Sequence, residues 1–406
     1  MAFLEKIERL AHRIAHKIGA ARQRGCRLEV ERLLFELAWV GTERFAGTTL
    51  VDATFDSPNY WFRYSILRAA MGLAHGVEVG VLGHFRNKSI RGTASRLGIR
   101  RLAYFPGKRE ITRHHQEISA SLVESLRCPD DLLNWNLPYG MPAWDLYDAL
   151  LKRQRRACLD INDPLLVGRV AEYLRDLDAA EDLVAEHQPS FAVMSHTVSG
   201  RTNHGPLMWQ LTRRKIPVVV PQGGFGNLTH FKIFNFDEVF NHSNRPTLED
   251  INGLQPEKAA KLQDIGRRYL AARLGGETTD LSAIHAFQQG KLSISLETLC
   301  AKFNWDSAKP VIAVFASVWF DNPHTFGMTA FRDFHDWLES TINVACKFNG
   351  VNWLFKPHPG EKWYGGVKLK DMLPALLPSH VRIADEEWSG TSLRDCLQGI
   401  VTLHGT

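Results

Sequence analysis

The residues best suited to chemistry stand immediately after short apolar runs. The clearest case is Lys356-Pro357-His358-Pro359-Gly360-Glu361, which follows Trp353-Leu354-Phe355. Residues 351–355 read as a buried strand, and the two prolines prevent it from continuing. In open α/β sheets, ligands bind beyond the carboxyl ends of strands. Lys356 and His358, with Glu361 close behind, are therefore expected to form a stiff cationic shelf for an anionic group such as a nucleotide phosphate. The plainer alternative is a strand exit carrying a solvated lysine and histidine.

A second region repeats the arrangement. Residues 191–194 read as a strand that ends in Ser195-His196-Thr197, followed by a polar loop with Arg201, His204 and Gly205. The β-branched run at 216–220 marks a strand buried on both faces. It is expected to stop at Pro221 and present Gln222-Gly223-Gly224 as a loop, where paired glycines let a ligand approach the backbone. Residues 235–242 read as a further strand edge, with Asp237 as the carboxylate of this side, or else as a turn aspartate. Ser317 ends the strand at 311–316, ahead of Trp319-Phe320-Asp321-Asn322-Pro323-His324.

The elements that must position these side chains alternate strand and helix from residue 48 onward, which predicts mostly parallel sheets. Strands are expected at 49–53, 77–82, 101–105, 381–383 and 400–403, besides those above. The expected domains are 1–254, a helical bridge at 255–308, and a second half at 309–406. Residues 3–24 form a basic amphipathic helix, suited either to an anionic membrane surface or to packing on a core with its basic face in water. Glu5 and Glu8 favour the second reading. Glu110, His114 and Glu117 share a helix face, but a solvated face is the better reading than a metal site. Asp176-Leu177-Asp178 falls inside a helix rather than on a strand-end loop, so it is not read as a metal-binding pair. The chain stops at His404-Gly405-Thr406 just after an apolar strand, where a phosphate-binding turn and helix would normally start. This predicts a fragment of a longer polypeptide with an incomplete second half.

The 406 residues carry a net charge of +5, too weak to argue for nucleic acid. Six cysteines lie far apart with no CxxC pair, which fits reduced thiols and a cytoplasmic chain. No apolar run approaches the ~18 residues that a membrane span requires.

Four stretches together resemble the capsule and surface-polysaccharide glycosyltransferases of bacteria. They are Tyr139-Gly140 with Trp144-Asp145-Leu146-Tyr147-Asp148, Gln222-Gly223-Gly224, Lys356-Pro357-His358-Pro359, and His404-Gly405-Thr406. The layout is most similar to β-Kdo transferases, which use CMP-Kdo. The resemblance implies an α/β fold of the GT-B arrangement, with two Rossmann-like domains facing across a cleft. It implies an enzyme that transfers Kdo to a glycan or lipid-linked glycan acceptor for O-antigen or capsule, at the inner face of the cytoplasmic membrane. Neither metal nor cofactor is required on this reading. Donor contacts would come from Ser317, Lys356, His358, Glu361, Gly405 and Thr406, and acceptor contacts from Arg201, His204, Gln222, Gly223 and Gly224. Asp237 would be the nucleophile of a retaining reaction; in an inverting one, Asp237 or His196 would be the base. Two other classes stand beside this one: a glycerophosphotransferase that uses CDP-glycerol, and a non-catalytic sugar-binding module of a larger polypeptide.

Overall fold

Short apolar runs separated by amphipathic stretches fold here as one mostly parallel and one parallel sheet, with helices between most of their strands. The computed structural model describes residues 45–55, 57–83, 88–198, 204–224, 227–240, 248–274, 292–324, 327, 330–361 and 365–403. The chain forms two compact units. The first takes residues 1–110, 176–197 and 206–238; the second takes 111–175, 198–205 and 239–406. The second unit thus includes a long stretch, 111–175, from within the span that the sequence assigns to a single N-terminal domain.

In the first unit, β1 (Thr48–Asp52), α1 (Pro58–Ala70), β2 (Val77–Leu82), α2 (Lys88–Arg96) and β3 (Arg101–Tyr104) alternate in order. The chain then forms α3 (Arg113–Glu124), α4 (Pro129–Leu133), α5 (Ala143–Gln154) and α6 (Leu166–His187), the first three within the second unit. It continues with β4 (Phe191–Val193), α7 (His204–Arg213), β5 (Val218–Gly224) and β6 (Asn227–Ile233). The unit boundary falls inside α6 and again inside α7. The six strands order as β3-β2-β1-β4-β5-β6, parallel except for the final β5–β6 pair. This is the doubly wound order, in which the sheet reverses its direction of growth between β1 and β4. Leu50 and Val51 are fully buried, and α1 lays Tyr60, Trp61 and Tyr64 against the sheet in one aromatic cluster.

The second unit adds α8 (Leu248–Asn252), α9 (Pro256–Leu274), α10 (Leu296–Phe303), β7 (Val311–Phe315), α11 (Phe334–Lys347), β8 (Asn352–Lys356), α12 (Leu369–Met372), β9 (Val381–Ile383), α13 (Gly390–Arg394) and β10 (Gly399–Val401). Its four strands order as β10-β7-β8-β9, all parallel. Its growth reverses between β7 and β10. The face of α11 formed by Phe334, Trp337, Leu338 and Ile342 packs on the sheet. α11 begins at Phe334, where Asp333 caps it by accepting from the Asp336 N–H.

Two local expectations are corrected. β5 does not stop at Pro221. It pairs with β4 only through Val218 and Val219, so beyond that point no N–H is needed on the β4 side. The strand runs on through Gln222, Gly223 and Gly224 as one arm of a hairpin with β6, with Pro221 opposite His230. Residues 236–239 form a 3₁₀ turn rather than a strand edge, tied by the Glu238 carboxylate accepting from the Phe234 N–H at 2.7 Å. No helix among the described residues is long and apolar enough to cross a membrane.

Candidate functional site

In the first sheet, chemistry gathers at the point of reversal. β1 ends in Asp52, and Ser195 follows the neighbouring strand β4. Asp52 is 1% exposed and accepts hydrogen bonds at both carboxylate oxygens. Its Oδ1 receives the Thr54 N–H at 2.8 Å and the Thr54 hydroxyl at 2.7 Å. Its Oδ2 receives the Ser195 N–H at 3.0 Å and the Ser195 hydroxyl. The Ser195 proton is thereby committed to Asp52. The 2.8 Å contact between Ser195 Oγ and His196 Nδ1 must then have the ring N–H as donor. His196 is held with its proton on Nδ1 and its lone pair on Nε2, as a general base requires. The ring is half-buried and meets the edge of Phe55 at 4.8 Å between centroids.

The second sheet presents Ser317 after β7 and Lys356-Pro357-His358 at the end of adjacent β8, where Phe315 lies in register with Lys356. The cationic shelf is corrected here. Lys356 is only 6% exposed, and its ammonium donates to the carbonyls of Asp385 at 2.7 Å and Glu386 at 3.2 Å. A buried ammonium has to be satisfied by such partners. Its charge therefore anchors the segment after β9 instead of facing a ligand. His358 is the side chain that remains presented. Its Nδ1 accepts the Gly360 N–H at 2.9 Å, which leaves Nε2 to carry the proton. Burial pushes the His358 pKa below its ordinary value, with Asp321 opposing weakly, so the ring is a neutral N–H donor near pH 7. Glu361 is buried, which raises its pKa, and accepts the Leu369 N–H at 3.2 Å. Both contacts brace the loop.

A third group lies within the second unit, on α5. Residues 143–151 of this helix are all buried, including Asp145, Tyr147 and Asp148. Burial pushes the Asp145 carboxyl up to about 7, against a 2.7 Å hydrogen bond from the Tyr173 hydroxyl. Gly205 makes room for it: a Cβ there would come within 2 Å of the Asp145 carboxylate, in the first turn of α7. Asp148 meets His324 Nδ1 at 2.7 Å and also accepts the His324 N–H at 3.2 Å. Burial pulls the His324 pKa down, but the Asp148 carboxylate outweighs it and the ring ends above its ordinary value. Tyr147 donates to Asp333 Oδ2 at 2.5 Å, and Arg332 pairs with both Asp333 and Asp130. Asp145, Asp148, His204 and His324 are each at most 2% exposed, so this cluster is an internal polar frame rather than a surface site.

The candidate residues thus separate. His196 joins Asp52 and Ser195, while Ser317, Lys356, His358 and Glu361 share adjacent strand ends of the other sheet. His204 is buried beside Asp145 rather than presented to an acceptor. Gln222, Gly223 and Gly224 lie in the hairpin, and Asp237 is exposed on the 3₁₀ turn. Arg201, Gly405 and Thr406 lie outside the described residues, as does the segment 3–24. Glu110, His114 and Glu117 stay on the surface, with Glu117 paired to Arg113, and no cluster of metal-ligating side chains occurs among the described residues. Sequence reasoning missed Asp52, although an aspartate closing an apolar strand was a usable signal. It also missed the Asp148–His324 pair, whose members are 176 positions apart and have no local signature. No family model matches this chain, and no curated protein matches it.

Proposed function

We propose that the protein is a glycosyltransferase of the GT-B kind, transferring Kdo from CMP-Kdo to a glycan or lipid-linked glycan acceptor of a bacterial surface polysaccharide. The observation that supports it best is the pair of separate parallel sheets, each with a histidine set in one tautomer just beyond a strand end. One histidine is arranged as a base and the other as a donor, the two roles that sugar transfer from a nucleotide needs. On this reading His358 Nε2–H binds a phosphate oxygen of the CMP group, and Ser317 lies at the neighbouring strand end. His196 Nε2 takes the proton of the acceptor hydroxyl. The hydroxyl oxygen bonds to the anomeric carbon as the bond from that carbon to the phosphate oxygen breaks, and CMP leaves. In a retaining course the carboxylate of Asp237 first displaces CMP, and His196 deprotonates the acceptor in the second step.

Thermal unfolding with CMP, CDP, UDP and GDP tests the donor class. CMP is expected to raise Tm selectively and in proportion to the logarithm of its concentration above Kd. Equal shifts from all four nucleotides, or none, would overturn the CMP-sugar assignment. A CDP preference, with phosphate retained in the product, would instead identify a glycerophosphotransferase.

A further inference from the structure

At the opposite edge of the first sheet, beside the amino ends of β2 and β3, lies a hollow of about 530 Å³. Its wall carries Arg68, Arg96, Arg100 and Arg101, and Glu78 is the one acidic residue lining it among the described residues. Glu78 is already spent. It is 8% exposed, receives the Tyr64 hydroxyl, and is gripped by Arg68 through Nε at 2.8 and 2.9 Å and Nη2 at 2.7 Å. Arg68, 6% exposed, is fixed as the floor of the hollow with its charge balanced. Gly98, at φ +80, closes the α2 end and brings the chain over Arg68. Arg96, in the last turn of α2, also complements that helix dipole. Arg100 and Arg101 have no such duty. Both are exposed, and neither side chain forms a hydrogen bond or ion pair among the described residues. Arg100 and Arg101, neighbours in sequence, both line a hollow with a rigid, neutralised floor, which leaves a net positive cavity of small-molecule size.

We propose that this hollow is a second binding site, for a ligand bearing a phosphate ester or diphosphate, held by the forked donors of Arg100 and Arg101. Guanidinium planes match phosphate oxygens in pairs, which favours this class over a dispersed negative charge. The assignment stands apart from the glycosyltransferase reading, because it uses the amino edge of the sheet and none of the side chains at its carboxyl edge.

Calorimetric titration of the full chain with inorganic pyrophosphate tests it. Binding is expected in the wild type and weakened about tenfold or more in Arg100→Ala/Arg101→Ala, at unchanged Tm. A matched variant, Arg267→Ala/Arg268→Ala on the exposed helix α9, removes the same charge elsewhere and is expected to bind as the wild type does. Co-sedimentation with phosphatidylcholine vesicles doped with phosphatidic acid, lost in the Arg100/Arg101 variant, would identify a lipid headgroup as the source; pyrophosphate binding without vesicle binding would identify a free solute. No binding of either, or equal weakening in both double variants, would overturn the site.

Discussion

His196 and His358 occupy comparable places in the two sheets, each just past the carboxyl end of a strand, yet their neighbours set them in opposite ways. Beside His196 an acceptor chain begins at a buried carboxylate and passes through Ser195, so the ring proton is drawn to Nδ1 and Nε2 is left basic. Beside His358 the neighbour is a backbone N–H, that of Gly360, so Nδ1 accepts and Nε2 donates. The imidazole is the same in both. What differs is whether its first partner gives or takes a proton. A strand-end histidine in a sequence thus names a position, and its role is decided by the partner that folding brings to it.

The largest effect separates these roles outright. His196→Ala is expected to lower transfer by about 100- to 10,000-fold, the usual worth of a positioned acid or base, while leaving CMP-induced stabilisation intact. Sugar transfer and CMP thermal shifts measured on one preparation check this. Loss of CMP stabilisation in this variant would show that the two histidines do not divide the work. His358→Ala should do the reverse, weakening CMP about tenfold or more through loss of a hydrogen bond to a charged group. His358→Gln retains an N–H donor and is expected to recover part of that affinity. If glutamine is no better than alanine, the donor tautomer of His358 is not what binds.

A smaller effect sharpens the comparison on one side. Ser195 touches His196 and Asp52 but is assigned no contact with a substrate, so it is a positioning residue. Ser195→Ala removes the acceptor that fixes the ring and is expected to lower kcat about tenfold with KM unchanged. The acidic limb of the pH–rate profile should move as well, since the base would have lost its partner. Ser195→Thr, which keeps the hydroxyl, is expected to restore the profile. An unchanged profile in Ser195→Ala would leave the Asp52–Ser195–His196 chain a structural feature only.

Strand ends were legible in the sequence where an apolar run met breakers, as at Lys356-Pro357 and at Ser195-His196. The same rule failed at Pro221, because whether a proline stops a strand depends on which edge is paired, and that is set by β4 and β6 rather than by local composition. Lys356 shows a similar limit. Its position was read correctly, but the carbonyls that satisfy its ammonium come from residues 385 and 386, after the next strand. Asp148 and His324 lie beyond any local reading, being joined only by the packing of α5 inside the second unit. Chemistry that depends on one strand and its exit could be read from the chain, whereas chemistry that depends on a partner's choice of tautomer or charge could not.

The finest test of the comparison is a stability profile against pH. Burial holds His358 below the ordinary histidine value near 6.5, so the unfolded chain binds a proton at a pH where the folded chain does not. With more protons bound in the unfolded state, stability rises with pH across that window. The neutral ring therefore costs nothing above about pH 6.5, and stability drains as pH falls from there through the folded value. His358→Gln removes the titrating group. Its Tm difference from the wild type should shift in the variant's favour on going from pH 7.5 to pH 5. His324, held up by Asp148, has the opposite sign, its contribution being present at low pH and lost as pH rises through its folded value, so it opposes this trend in the wild type. The comparison of His358→Gln with wild type cancels that background, because His324 titrates alike in both. A Tm difference flat between pH 5 and pH 7.5 would mean that the His358 ring takes up its proton as easily folded as unfolded, and that its N–H donor state near neutral pH is not held by burial.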